Sequence, residues 1–333
     1  AHPRLLAHGP ELLRSVDGRL GGARAEILDR RAEVARRLGL SHTDALTGPF
    51  EKPEELPRLA RDFLTRTERF AESFEERGYA SEIERGVARD APEGWPARLT
   101  VDSLIGLVGP ELFRSVRLGT FSVPQRLVPM SVLLGLAHLG EAWFVSLARS
   151  DLPSVVAFDR ERLLARREGV VWSLQAAEPT FLRSRLGLTL REVDKQQRSL
   201  WIALLVEARR RAARVLLRAV GLAGPDELNR RAPELGVELF EEECSAATML
   251  ARLPTDRSTP TDFVALGLGL ARQREFVDMA GADYFKEARW QERVRDEASL
   301  PPRTRVEPTE VEGGLALLES RVAAVWGVTQ KSA

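Results

Sequence analysis

Apolar positions recur along most of this chain at helical rather than strand spacing. Over 54–79, Leu59, Phe63, Phe70 and Phe74 follow at steps of four, seven and four, which puts them on one face of a helix. Over 190–220, the longest periodic stretch, Leu190, Val193, Leu200, Leu204, Ala208 and Val215 form the expected inward stripe. Over 23–38, Ile27, Val34 and Leu38 share one side, with Arg and Glu elsewhere at salt-bridge spacing. Further helices are predicted at 81–89, 100–108, 110–116, 158–175, 237–253, 261–280, 282–297 and 310–326. An alternating Val/Ile/Thr run flanked by Asn-Gly or Asp-Gly turns, the mark of a hairpin, is nowhere in the sequence. The pattern therefore predicts an all-α protein: an irregular multi-helix bundle or helical array with no substantial sheet.

One stretch stands apart from the amphipathic pattern. Within 123–149 only Arg126, Glu141 and Arg149 are charged, so a helix over about 130–149 is apolar almost all the way round and belongs at the centre of the bundle. A bilayer span needs roughly 20 uninterrupted apolar residues, whereas Pro129, His138 and Glu141 interrupt this one. The stretch reads as a buried core helix and not as a membrane span.

Helix starts are marked by proline followed by an acid: Gly-Pro-Glu-Leu at 9–12 and 109–112, and Gly-Pro-Asp-Glu-Leu at 224–228. Proline suits the first helical turn because its missing N–H has no partner there anyway, and the acid faces the positive end of the helix dipole. The octapeptides at 9–16 and 109–116 differ only at Leu13 against Phe113; shared helix-start chemistry accounts for them, with an ancient duplication as the alternative. Breaks fall at Asp90 to Pro96 and from Pro301 to Pro308. They divide the chain into an N-terminal helical subdomain (1–92), a main helical domain (97–300), and a linker with a C-terminal helix packing on it (301–333).

Composition narrows the function classes. Lys plus Arg and Asp plus Glu both number 49 in 333 residues, a balance that argues against a chain built to coat nucleic acid or an anionic membrane. Only Lys52, Lys195, Lys286 and Lys331 are lysines, leaving 45 arginines; this skew points to a GC-rich bacterial genome and weakens the meaning of any arginine cluster. Cys244 is the sole cysteine, which excludes an intrachain disulfide or a four-cysteine zinc site and makes a reducing cytoplasm the expected location. The first residues lack the tripartite order of a signal peptide.

Candidate chemistry is sparse. His138 and Glu141, three apart, share one helical face and could ligate a metal, poise a general base or, through the His, hold a haem iron. The ordinary reading is a core imidazole bonded to Glu141 or to a backbone carbonyl. Tyr79, Arg126, Trp143 and Asp278 are possible neighbours of that pair. Glu241, Glu242 and Glu243 precede Cys244, but adjacent helical positions point in different directions, so they read as a solvated face. Arg210, Arg214 and Arg218 repeat at one-turn intervals, a register suited to phosphates or an acidic helix, though intramolecular ion pairing explains it as well. Gly267 and Gly269 lack the preceding strand and third glycine of a nucleotide loop, and close helix packing is the expected role. HExxH, GxxxxGK[ST], GxSxG, DDxxD and EF-hand patterns are all missing. The expectation is a helical adaptor or assembly component that binds another protein or itself, with no cofactor or metal and no nucleic acid. The alternative is an enzyme or cofactor protein with its site around His138 and Glu141.

Overall fold

The computed structural model describes residues 50, 54–76, 98–114, 118, 123, 129–147, 163–222, 225–240, 258–299 and 306–326, with scattered helical positions between 23 and 37. In chain order the helices are α1 (Glu55–Glu76), α2 (Val101–Val108), α3 (Pro129–Ser146), α4 (Leu163–Gln175), α5 (Pro179–Leu186), α6 (Leu190–Leu222), α7 (Pro225–Phe240), α8 (Ser258–Ala280), α9 (Ala288–Ser299) and α10 (Pro308–Trp326). Short 3-10 turns occupy Pro110–Phe113 and Tyr284–Lys286. No strand occurs among the described residues, so the fold is the all-α array that the periodicity predicts.

Local chemistry accounts for where these helices begin. Thr100 and Ser103 close a capping box on α2: each side-chain oxygen accepts from the other residue's backbone N–H, at 3.1 and 2.8 Å. Thr189 and Glu192 do the same before α6, where the Thr189 N–H donates to Glu192 Oε2 at 2.6 Å. Pro129, Pro179, Pro225 and Pro308 each open a helix. The proline signal at 224–228 thus starts α7, whereas the one at 109–112 makes only the 3-10 turn.

Several expected bounds shift. Helix α7 begins at Pro225, carries Pro233 within it and takes in 237–240 of the helix expected at 237–253, whose remainder lies outside the described residues. The segment 282–297 divides into the 3-10 turn and α9. Helix α5 has no apolar stripe to announce it; it ends at Gly187, whose left-handed backbone (φ 68) turns the chain toward α6. Leu190 is 68% exposed rather than inward, whereas Val193, Leu200, Leu204, Ala208 and Val215 are buried. Ile27 and Val34, which share the apolar side of the pattern over 23–38, are exposed. The predicted helix 81–89, the joints 90–96 and 301–305, the octapeptide 9–16, Leu38 and the Phe74 side chain lie outside the described residues.

The chain divides into two compact units, one formed by 1–64 and 210–260, the other by 65–209 and 261–333. Helices α1 and α6 contribute to both. In the first unit, α1 buries Leu56, Leu59, Ala60 and Phe63, α6 buries Val215, Leu216 and Leu217, and α7 buries Leu235.

The second unit is organised by close helix crossings. A Cβ on Gly140 of α3 would stand 2.5 Å from the Trp172 ring of α4, and one on Gly169 of α4 would stand 2.6 Å from the Ala137 carbonyl oxygen of α3. Gly269 of α8 meets Val170 in the same manner, at 2.5 Å. Gly267 of α8 and Gly314 of α10 lie backbone to backbone, with no room for a side chain between them. The Gly267 and Gly269 pair therefore packs helices, as expected from its setting. The apolar α3 is central here, but the more enclosed element is α4, buried continuously from Arg167 to Gln175. Periodicity alone suggests a one-sided helix for 158–175, because Arg166, Arg167 and Glu168 read as its wet face.

Candidate functional site

The strongest concentration of unusual chemistry lies where α4 is walled in by α3, α8 and α9. The glycine crossings draw α3, α4 and α8 together, and with α9 they bring three indoles into mutual contact. Trp143, Trp172 and Trp290 have ring centroids 5.2, 5.6 and 6.0 Å apart, and Trp143 and Trp290 are stacked. Phe113 meets the Trp172 edge at 5.9 Å, and Phe276 and Tyr284 contact Trp290 at 6.3 and 6.1 Å. Trp143 satisfies its N–H by donating to the Leu112 carbonyl at 3.2 Å. The indole N–H groups of Trp172 and Trp290 are buried without a hydrogen-bond partner.

Glu168 sits one turn before Trp172 on the same face of α4 and is 0% exposed. Neither of its carboxyl oxygens has a hydrogen-bond partner. Burial disfavours the charged form and raises its pKa from the ordinary 4.5 to about 7, against the opposing pull of the Arg167 and Arg272 guanidiniums. The Trp172 N–H lies near enough to favour the carboxylate slightly, yet the two groups close no hydrogen bond of normal geometry.

The two arginines are engaged elsewhere. Arg167 of α4 and Arg272 of α8 both donate to the Glu297 carboxylate of α9, one to each oxygen. Arg272 also reaches Glu275 at 2.8 Å and lies over the Phe276 ring at 4.4 Å. A second polar node flanks the aromatic shell. Gln273 of α8 donates to Glu178 at 2.6 Å, and burial raises the Glu178 pKa. Tyr284 donates to the Val171 carbonyl over a long 3.4 Å. Burial, then Glu178 and Glu168, push its hydroxyl pKa well above the usual tyrosine value. The arrangement thus holds a carboxyl that stays protonated well above the ordinary glutamate range and can gain or lose a proton near neutrality inside an apolar wall.

The residues singled out by sequence are placed differently. His138 is partly exposed on α3. Glu141, one turn later, lies 3.9 Å from Arg166, whose guanidinium is also 2.8 Å from Asp262. Trp143 is buried in the aromatic shell. Among the described residues, no group of three or more His, Cys, Asp or Glu side chains could hold a metal ion. In the first unit Arg210 and Arg214 are exposed, while Arg218 is only 5% exposed, so the expected basic row shows two cations on the surface rather than three. Asp278 pairs with Arg274 at 2.9 Å, and Asp283 with Lys286 at 3.2 Å. Tyr79, Arg126, Glu241 to Glu243 and Cys244 lie outside the described residues.

Glu168 escapes a reading of periodicity because it follows two arginines and resembles part of a solvated face. The available signal is its setting: a lone acid four residues before a tryptophan, entering the apolar run Gly169 to Trp172. Compared with protein-family models, with curated proteins and with solved structures, the chain matches none.

Proposed function

We propose that this protein works by binding another protein chain, as a helical adaptor or assembly component. The observation that carries the reading is the helix described by positions between 23 and 37. Ile27 is 41% and Val34 54% exposed; seven residues apart, they stand two turns above one another on one face. Among the described positions its charged side chains are paired within the helix, Glu26 with Arg30 at 2.6 Å and Glu33 with Arg36 and Arg37 at 2.7 and 2.8 Å. An apolar stripe bordered by self-satisfied ion pairs suits an amphipathic partner helix, since covering each large aliphatic side chain is worth roughly 1.5–3 kcal/mol. The equal numbers of acidic and basic residues support a protein partner over a polyanion. No helix among the described residues is long and apolar enough to cross a membrane, and the single cysteine supports a reducing bacterial cytoplasm as the place of action.

The test compares the wild type with the double variant Ile27→Asp, Val34→Asp in sedimentation across a concentration series and in pull-down from native lysate. The expected result is a self-associated species or a specific bound protein that the double variant loses while its circular dichroism is unchanged. Association or capture undiminished in the variant, or no association in either assay, overturns the reading.

A further inference from the structure

The arginine pair beside Glu168 has two acceptors competing for it. Glu297 of α9 holds both Arg167 and Arg272, and beside the buried apolar side chains Trp290, Val294 and Ala298 it ties α9 to α4 and α8. The Nε–H of each of these arginines is buried and unbonded, as are the N–H groups of Trp172 and Trp290. Four unspent donors therefore lie in the same buried region as two unspent acceptor oxygens. The two buried guanidiniums are matched without Glu168, Arg167 by Glu297 and Arg272 by Glu297 and Glu275. A further negative charge placed on Glu168 has donors available at once, and recruiting the guanidiniums weakens their hold on Glu297.

We propose that Glu168 is a proton-operated latch on α9: protonated, it leaves both arginines to Glu297 and α9 stays docked; ionised, it draws them toward α4 and loosens α9. Every element packed around the carboxyl contributes to the balance. Arg167 and Trp172 come from α4 itself, Arg272 from α8 and Glu297 from α9. Tyr284 approaches from the 3-10 turn, with Glu178 beyond it. From α3, Glu141 lies against Gly169, the next residue to Glu168. The Arg293 guanidinium, 3.8 Å from Glu297, remains to hold that carboxylate when the latch opens. The device is independent of the proposed surface on the first unit, and gives the second unit a way to expose α9 in response to pH.

Hydrogen exchange of the 288–299 peptide, corrected for the intrinsic pH dependence of exchange, reads the latch directly. In the wild-type chain, protection of α9 should fall about tenfold between about pH 5.5 and about pH 8.5. Glu168→Gln and Glu168→Leu, which cannot ionise, should keep α9 protected at both values; using both guards against a folding defect in either one. Glu297→Gln should leave α9 loosened at both. Protection in the wild type that is independent of pH, or a fall that persists in a folded Glu168 variant, overturns the proposal.

Discussion

At the scale of the residue, Glu168 is the side chain whose surroundings most contradict its type. A carboxyl with no exposed surface and no bonded partner is tolerated below about pH 7 because it then carries a proton in the folded state, whereas in the unfolded chain it ionises as an ordinary glutamate. The folded state therefore binds more protons than the unfolded one between pH 4.5 and about 7, and stability falls as pH rises through that window. A displacement from 4.5 to about 7 corresponds to about 3 kcal/mol, fully present below the lower value and lost above the upper one. Urea unfolding at a series of pH values should show this decline in the wild type. In Glu168→Gln the share of the slope due to Glu168 should vanish, leaving the smaller decline that Glu178 contributes and making the variant more stable than wild type at pH above about 7 and similar below about 4.5. A decline of equal size in the variant would assign it to other groups.

At the scale of the element, the helices of the second unit approach as closely as they do because particular positions carry no side chain. Gly313 and Gly314 are neighbours on α10 and offer a controlled comparison. A Cβ on Gly313 meets open space, while one on Gly314 would collide with the backbone of Gly267. Backbone cannot rotate aside like a side chain, so α8 and α10 would have to separate. Gly313→Ala should stabilise by about 1 kcal/mol through helix propensity. Gly314→Ala should destabilise by about 1–3 kcal/mol or more through overpacking. Thermal unfolding of the two variants should shift the midpoint in opposite directions; shifts of the same sign would contradict the crossing described here. The same logic explains why α4, despite three consecutive charges, is enclosed. Gly169 lets it lie against α3, Gly269 lets α8 close on it, and Glu297 supplies the counter-charge that Arg167 needs.

At the scale of the whole molecule, charge is balanced overall, with 49 basic and 49 acidic residues, and much of it is consumed internally. Arg66 reaches Glu319 at 3.0 Å, Arg166 reaches Asp262 at 2.8 Å, and Arg209 donates to Thr67 at 2.6 Å. With Arg218 buried, the surface cations of that row are Arg210 and Arg214, too few for the steep salt dependence that a row of phosphate contacts produces. The full chain should elute from a heparin or DNA column below about 150 mM salt, and replacing Arg210 and Arg214 by Gln should barely move the elution point. Retention to much higher salt that those substitutions abolish would instead establish a nucleic-acid surface.

The sequence by itself determined the helical character of the chain and the identity of several core positions. Heptad-like and four-residue spacing of Leu, Phe and Val is a local property that any helix must turn into a face, and Phe63, Phe70, Leu200 and Leu204 are buried accordingly. It likewise determined which glycines serve packing, since Gly267 and Gly269 occur inside an unbroken helical pattern without the strand that a phosphate loop needs. The tertiary structure alone decided which charges face inward. Glu168 and Glu141 are both lone acids near apolar runs, and nothing in their spacing says that the first is sealed among tryptophans while the second reaches Arg166. That difference depends on how closely α3, α4 and α8 cross at Gly140, Gly169 and Gly269. Burial and pairing are set by neighbours in space, and a one-dimensional pattern records only neighbours along the helix.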